Sequence, residues 1–244
     1  MAFQLSVIIP TLNEQETLPT VLKQLLEVLA ENDEVIIVDG GSTDDTTTII
    51  KSFGFEFLES IKKGRAAQMD YGARLAKGEY LCFLHADTLP PVQLKEIIKT
   101  TLRDEKVVLA GFTSIMKGET TRWFMSTLNY SKTYMLPLFY RPYAFIFKGL
   151  RLIFGDQLMF CRRSDYLKIG GFDPNCLIME EAELCLKINK LGSIKQIKDR
   201  VYSSDRRVQK LGNTRALYIY VTTAIGWALG FSSEKLSARY KPYR

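Results

Sequence analysis

Three apolar runs end in polar side chains whose types suit ligand chemistry. "LSVIIP" runs into Thr11, Asn13 and Glu14, "EVIIV" into Asp39, and "EYLCFL" into His85 and Asp87. A carboxylate such as Asp39 can accept a hydrogen bond from the ring N–H of a pyrimidine or purine. One such as Asp87 suits a divalent cation that in turn holds a diphosphate, and Lys62, Lys63 and Arg65 carry charge that suits the same phosphates. Further along, Glu180, Glu181 and Glu183 form a carboxylate cluster, and Arg206 and Arg207 a basic pair. His85 is the only histidine among 244 residues, which excludes multi-histidine metal centres and leaves acid–base work mainly to carboxylates. Each group also has a plain structural reading. Strand ends need turn residues, glutamates suit the first turn of a helix, and an arginine pair can simply be solvated.

For the strand-end residues to act together, the fold must bring them to one place. The first hundred residues alternate between strands, expected at 5–10, 34–39, 55–60 and 79–87, and helices, expected at 14–31, 44–53, 64–78 and 91–102. Continuous apolar strands separated by helices predict a mostly parallel sheet covered on both faces. The carboxyl ends of such strands share an edge, and that edge holds the ligand crevice. After residue 105 the pattern loosens to a strand at 106–116, a strand and short helix within 156–172, and an amphipathic helix at 179–192. Residues 120–154 are aromatic and basic with no clear period. With no linker or repeat, the chain reads as one domain, 1–244. The usual glycine-rich phosphate motifs are absent. In "VDGGSTDDT" the glycines precede Asp44 and Asp45, which suit helix capping and would repel a phosphate.

Composition is that of an ordinary globular protein, with 46% hydrophobic and 25% charged residues, enough for one large core. Net charge is +6, but unevenly spread. Residues 1–100 hold 9 Lys/Arg against 15 Asp/Glu, and residues 195–244 hold 11 against 3. A cationic ligand early and an anionic partner late fit that asymmetry. The four cysteines lack C-x-x-C spacing and read as reduced thiols, which predicts a cytoplasmic protein. The N-terminus does not read as a signal peptide, and no run reaches the length of a membrane-spanning helix.

The motifs "VIIPTLNE", "EVIIVDGGSTDDT", "GRAAQMDYGARLAKGEYLCFLHADT", "GDQLMFCRR", "GGFDP", "LIMEEAELCLKINKLG" and "DRR" occur in this order over most of the chain. Together they resemble a family-2 glycosyltransferase of the GT-A fold. They are similar in particular to a small single-domain bacterial subgroup linked to arsenosugar biosynthesis. The resemblance implies a GT-A-type α/β domain with a helical C-terminal region and an inverting, metal-dependent transfer from a UDP- or GDP-sugar. It implies Thr11, Asn13 and Glu14 around the nucleoside, Asp39 at the base, and Arg65 near base and phosphates. Asp87 would bind ribose and Mg²⁺ or Mn²⁺, with His85 at the position of the first acid of a D-x-D motif. Gly155, Asp156 and Gln157 would flank the acceptor and donor sugar. Glu181 or Glu180 would be the base, and Arg206 and Arg207 would meet the diphosphate. Three positions depart from the family pattern, namely His85, Glu181 where aspartate is usual, and Val208 after the arginine pair. A nucleotidyltransferase and an inactive nucleotide-sugar-binding protein are the alternatives.

The expected acceptor is a hydroxyl or a lipid phosphate, and nucleic acid is not expected as a partner. Residues 134–154 mix aromatics with Arg141, Lys148 and Arg151, and residues 216–231 are uncharged and apolar. Packing on the sheet or in a homodimer is the first expectation for both stretches. Peripheral contact with the inner face of a membrane is the second.

Overall fold

The computed structural model describes residues 4–240; the first three residues and the last four, which belong to the N-terminal reading and the basic tail, lie outside the described residues. Strand β1 (Leu5–Thr11) leads to helix α1 (Leu18–Val28), β2 (Glu34–Asp39), α2 (Thr46–Ser52), β3 (Phe57–Glu59), α3 (Arg65–Leu75) and β4 (Tyr80–Phe83). A two-residue strand β5 (Thr88–Leu89) and α4 (Leu94–Leu102) follow. The second half contains β6 (Val107–Lys117), α5 (Trp123–Tyr140), α6 (Pro142–Phe147), a 3₁₀ turn at Gly155–Gln157, β7 (Met159–Arg162), α7 (Arg163–Lys168) and α8 (Glu180–Ile188). The long β8 (Ser193–Ser204) precedes α9 (Arg206–Leu211), α10 (Asn213–Ala228) and α11 (Ser233–Tyr240).

All eight strands join one sheet in the order β3-β2-β1-β4-β7-β6-β8-β5. The β1–β2, β2–β3, β1–β4 and β6–β8 pairs are parallel, whereas β7 lies antiparallel between β4 and β6 and β5 pairs antiparallel with β8. The expected architecture holds, with β7 as an antiparallel insert. From β1 the chain steps outward to β2 and β3, then returns to place β4 on the other side of β1. That reversal is the switch point at which open α/β sheets leave a crevice.

Alternate strand residues feed two cores, as a sheet buried on both faces requires. Ile8, Leu81, Phe83, Leu109 and Met159 join one core with residues of α3 and α8. Leu5, Val7, Ile9, Cys82 and Phe160 join the other with residues of α1 and α4. Helix α3 sits close to the sheet because Gly72 has no side chain; an added Cβ would fall 2.8 Å from Ile8 Cγ2. The segment 120–154, which showed no period, forms α5 and α6. The stretch 216–231 lies largely in α10, which buries Ile219, Thr223 and Trp227. Packing covers only the inner side of these helices. Phe139, Phe147, Tyr218 and Leu229 remain exposed.

Candidate active site at the sheet edge

The parallel register sets Thr11 opposite Asp39 at the carboxyl ends of β1 and β2. Their side chains are spent on building the edge. Asp39, 2% exposed, accepts from Thr11 Oγ1 (3.0 Å), Ser42 Oγ (2.6 Å), Gly41 N (2.9 Å) and Ser42 N (2.8 Å). Four bonds fill the four lone-pair sites of a carboxylate. Asn13 Oδ1 accepts from Thr43 N (2.8 Å), and Glu14 N donates to Thr46 Oγ1 (2.8 Å), so the loops after β1 and β2 are laced together. Asp44 works as expected of a helix-start residue and accepts from Thr46 N (3.0 Å), while Asp45 makes no side-chain cap. Gln68 of α3, which sequence reasoning passed over, donates to Thr11 O (2.8 Å) and Val38 O (2.7 Å) and pins both strand ends.

His85 and Asp87 follow β4, in the step before β5. The end of β8 fixes this step, because Thr88 pairs with Ser203 and Ser204 N donates to Asp87 O (3.0 Å). The same ladder delivers Arg206 and Arg207 at the start of α9. Asp205, itself held by Arg122 Nε at 2.7 Å, anchors that start. Arg206 Nη2 donates to Glu14 Oε2 at 2.7 Å, with Glu16 Oε2 3.7 Å from Nη1, so the arginine closes over the first loop. Burial raises the Asp87 carboxyl to about 6, Glu14 and Asp156 adding to the rise and Arg65 and Arg206 opposing it.

Glu180 and Glu181 open α8 and are 4% and 5% exposed. Arg65 Nη1 lies 3.7 Å from Glu180 Oε1 and 3.6 Å from Glu181 Oε1, so it faces the carboxylate pair. Burial pushes the Glu181 carboxyl up to about 7; Glu180 and Asp156 add to the rise and Arg65 opposes it. His85 lies equally close, its Nε2 3.6 Å from Glu181 Oε1 and without a hydrogen-bond partner. Burial, with Arg65 and Arg207 nearby, holds His85 well below the usual imidazole range. The two side chains therefore meet as a neutral imidazole and a carboxyl, not as an ion pair.

Gly155 makes this contact possible. A Cβ there would fall 1.9 Å from His85 Cε1 and 2.7 Å from Glu181 Oε1. Beside it, Asp156 accepts from Asn129 of α5. Gln157 turns inward, fully buried; its Oε1 accepts from Phe154 N (2.8 Å) and its Nε2 donates to Thr133 Oγ1 (3.0 Å). Its contact is thus with the 3₁₀ turn, which it holds against α5 so that Asp156 faces the site. Lys132, one turn beyond Asn129, rests its Nζ 3.9 Å from the Phe154 ring centroid, and burial lowers its ammonium while Asp156 and Glu181 oppose the fall. Asn129 and Lys132 lie in the segment without readable period, and nothing in the sequence marked them.

Among the described residues, Asn13, Leu158 and Met179 are the non-glycine residues with positive φ, at 55°, 45° and 65°. They sit in the loop after β1, directly after Gln157 and directly before Glu180. A left-handed conformation costs a residue such as leucine or methionine roughly 1–2 kcal/mol. Strain of this kind gathers where side chains must be aimed.

Among the described residues no three His, Cys, Asp or Glu side chains cluster as a ready metal cage. The edge still suits a cation that takes few protein ligands and completes its shell with phosphate and water, as Mg²⁺ does. Asp87 supplies a carboxylate with one weak internal partner, Thr88 Oγ1 at 3.3 Å, and His85 supplies a buried, uncharged and unpartnered Nε2.

Residues 6–168 match the family described as glycosyl transferase family 2. An uncharacterized glycosyltransferase of Rickettsia typhi is 26% identical over 197 residues, which is 78% of this chain and 59% of that protein. The undecaprenyl-phosphate 4-deoxy-4-formamido-L-arabinose transferase of Aeromonas hydrophila is 26% identical over 180 residues, 67% of this chain and 54% of that protein. The chain thus spans little more than half the length of these relatives. In fold it is similar to glucosyl-3-phosphoglycerate synthase from Mycobacterium tuberculosis, solved with Mn²⁺, uridine diphosphate and glucosyl-3-phosphoglycerate. The TM-score is 0.68 at 18% identity, over 94% of this chain and 81% of that one. The family match runs from β1 through β7 and into α7, and on it the chain belongs to glycosyl transferase family 2.

Proposed function

We propose that this protein is an inverting glycosyltransferase that moves a sugar from a nucleotide diphosphate donor to an acceptor hydroxyl or a lipid phosphate. The observation that carries the reading is the buried Glu180–Glu181 pair on the same sheet edge as Asp87, with Glu181 raised to about 7. A carboxylate poised near neutrality is what a general base requires. Placement in the arsenosugar-linked subgroup rests on the ordered motifs from Val7 to Arg207. The four free thiols suit a reducing compartment.

The donor's base and ribose lie against the laced loops that carry Thr11, Asn13 and Asp39. With its lone pairs filled, Asp39 meets a base N–H only by exchanging one of its internal bonds, most simply the Ser42 hydroxyl. Asp87 and His85 are the residues that would hold Mg²⁺ or Mn²⁺, which when bound would act as a Lewis acid stabilising the departing charge. Arg206 leaves Glu14 to pair with the phosphates, and Arg207 adds charge nearby. Glu181, or Glu180 beside it, takes the proton of the acceptor hydroxyl as that oxygen attacks the anomeric carbon. The bond to the diphosphate breaks in the same step, and the configuration inverts. Arg65 keeps Glu181 from rising further and so keeps it ionisable near pH 7. Asp156, held by Asn129, contacts the sugar or acceptor. The single domain divides as residues 1–104 for the nucleotide and 105–244 for the acceptor.

Thermal unfolding with UDP-, GDP- and dTDP-sugars, each with and without Mn²⁺, tests the reading. A ligand at about 100 times its Kd stabilises by about 2.7 kcal/mol. Metal-dependent stabilisation by one nucleotide class is the expected result. Absence of stabilisation by all of them contradicts the proposal.

A further inference from the structure

Helix α5 carries large apolar side chains on its open side, where a surface helix is ordinarily polar. Its inner side buries Met125, Asn129, Thr133 and Pro137, yet Trp123, Phe124 and Phe139 stand open on the other, Phe139 at 77% exposure. Helix α6 continues this face with no buried residue at all, and its Phe147 is 72% exposed. Helix α10 leans on α5 through Tyr140 and Trp227, whose ring centroids are 5.0 Å apart. It adds an open stripe at helical spacing, Tyr218, Val221, Ile225 and Leu229.

Within the segments that form this face the charges are all of one sign. Residues 120–154 carry five Lys/Arg and no Asp/Glu, and residues 206–233 carry four and none. Several cations lie over the aromatic rings. Arg141 is 4.9 Å from the Tyr140 centroid, Lys148 5.8 Å from Tyr143 and Arg151 4.1 Å from Phe145. Aromatic bodies topped by cationic heads are the side chains of a water–lipid boundary. Among the described residues no helix is long and apolar enough to cross a membrane, so contact would be lateral.

We propose that the α5–α6 face, extended by the open stripe of α10, docks on an anionic lipid surface. Rings and aliphatic side chains enter the headgroup region, and Arg141, Lys148 and Arg151 meet lipid phosphates. A second copy of the chain fits the face less well, because its own acid-free rim would oppose like charges. The inner side of α5 holds Asp156 through Asn129, and Trp227 Nε1 donates to Glu183 Oε1 (2.6 Å) on α8. The docked face and the carboxylate site are thus opposite sides of the same helices.

Vesicle flotation tests this without any sugar nucleotide, so its outcome is separate from that of the transfer reading. The full chain is mixed with vesicles of phosphatidylcholine alone, or with about one-third phosphatidylglycerol, a composition near that of an anionic leaflet. The expected result is flotation with the anionic vesicles at low salt, weakened at high salt. Arg141→Ala with Lys148→Ala should lower partitioning about thirtyfold, and Phe147→Ser should lower it further. All three positions are exposed, and circular dichroism checks that the variants fold. Protein that stays in the dense fraction with both vesicle types overturns the proposal, as does equal flotation on phosphatidylcholine alone. A concentration-dependent dimer that Phe139→Ser with Phe147→Ser dissolves, without vesicle binding, assigns the face to a second copy instead.

Discussion

Replacing Glu181 by glutamine should make the protein more stable above neutral pH while abolishing transfer. Glu181 is 5% exposed, and burial with Glu180 alongside raises its carboxyl to about 7, from the ordinary glutamate value of 4.5, against the pull of Arg65. The sign follows from linkage. A carboxyl that holds its proton more tightly in the folded state costs nothing below the unfolded value. The cost appears as pH rises past it, and it is complete above the folded value. A rise of this size corresponds to about 3 kcal/mol of lost stability at pH 8, and to about 1 kcal/mol or less at pH 5. Glutamine keeps the shape of the protonated acid and does not ionise. Glu181→Gln should therefore unfold near the wild-type temperature at pH 5 and roughly 6–12 °C above it at pH 8. Turnover should fall by about 10²–10⁴, the usual contribution of a general base. Urea and thermal unfolding of both proteins at the two pH values measure the effect. An equal stability difference at pH 5 and pH 8 would refute the burial argument, and undiminished turnover would remove Glu181 from the chemistry.

The same titration should shape the rate. kcat/KM is expected to rise with pH through an apparent pKa near 7, and Arg65→Gln, by removing the charge that lowers Glu181, should move that limb upward; a limb unmoved by the substitution separates Arg65 from the base. Asp87→Asn should abolish the Mn²⁺-dependent part of any thermal stabilisation by a sugar nucleotide. The ligand-free variant should lose no stability at pH 8, where the wild-type carboxylate, raised to about 6, is ionised at a cost. Gly155→Ala should destabilise by about 1–3 kcal/mol, since its Cβ would overlap His85 and crowd Glu181, and should depress turnover; wild-type melting and turnover would contradict the packing drawn here.

The first half of the chain was legible because its strands are buried on both faces. An uninterrupted apolar run such as Val7–Pro10 or Leu81–Leu84 needs no partner to identify it, and the polar residue that ends it marks the site edge. Strand β8 was invisible for the opposite reason. Its sequence SIKQIKDRVYSS buries Ile194, Ile197 and Val201 and exposes most of its charged residues, with register shifts along its pairing with β6 that break the period-two pattern. Helix α5 hid its period because its buried side includes Ser126, Asn129 and Thr133 while Trp123, Phe124 and Phe139 stand exposed. The candidate site shows the same divide. Asp87 and Glu181 were readable from strand ends and from motif order. The placement of Arg65 against the glutamates, the inward turn of Gln157 and the presence of Asn129 and Lys132 depend on distant packing that no local pattern encodes.

Strand β8 also sets when the site can exist. It pairs with β6 along Val107–Lys117 and with β5 next to Asp87, and it leads directly into Arg206. On the ribosome the chain emerges from its N-terminus at about 5–20 residues per second, so β6 waits on the order of 4–17 seconds for the strand that completes it. Until then the nucleotide-side loops are already synthesised, but the ladder that orients Asp87 and carries Arg206 to Glu14 is missing. One edge of β6 stands open through that interval, as a pairing surface for any other extended chain. The completed site edge and protection from misassembly therefore arrive together, with β8.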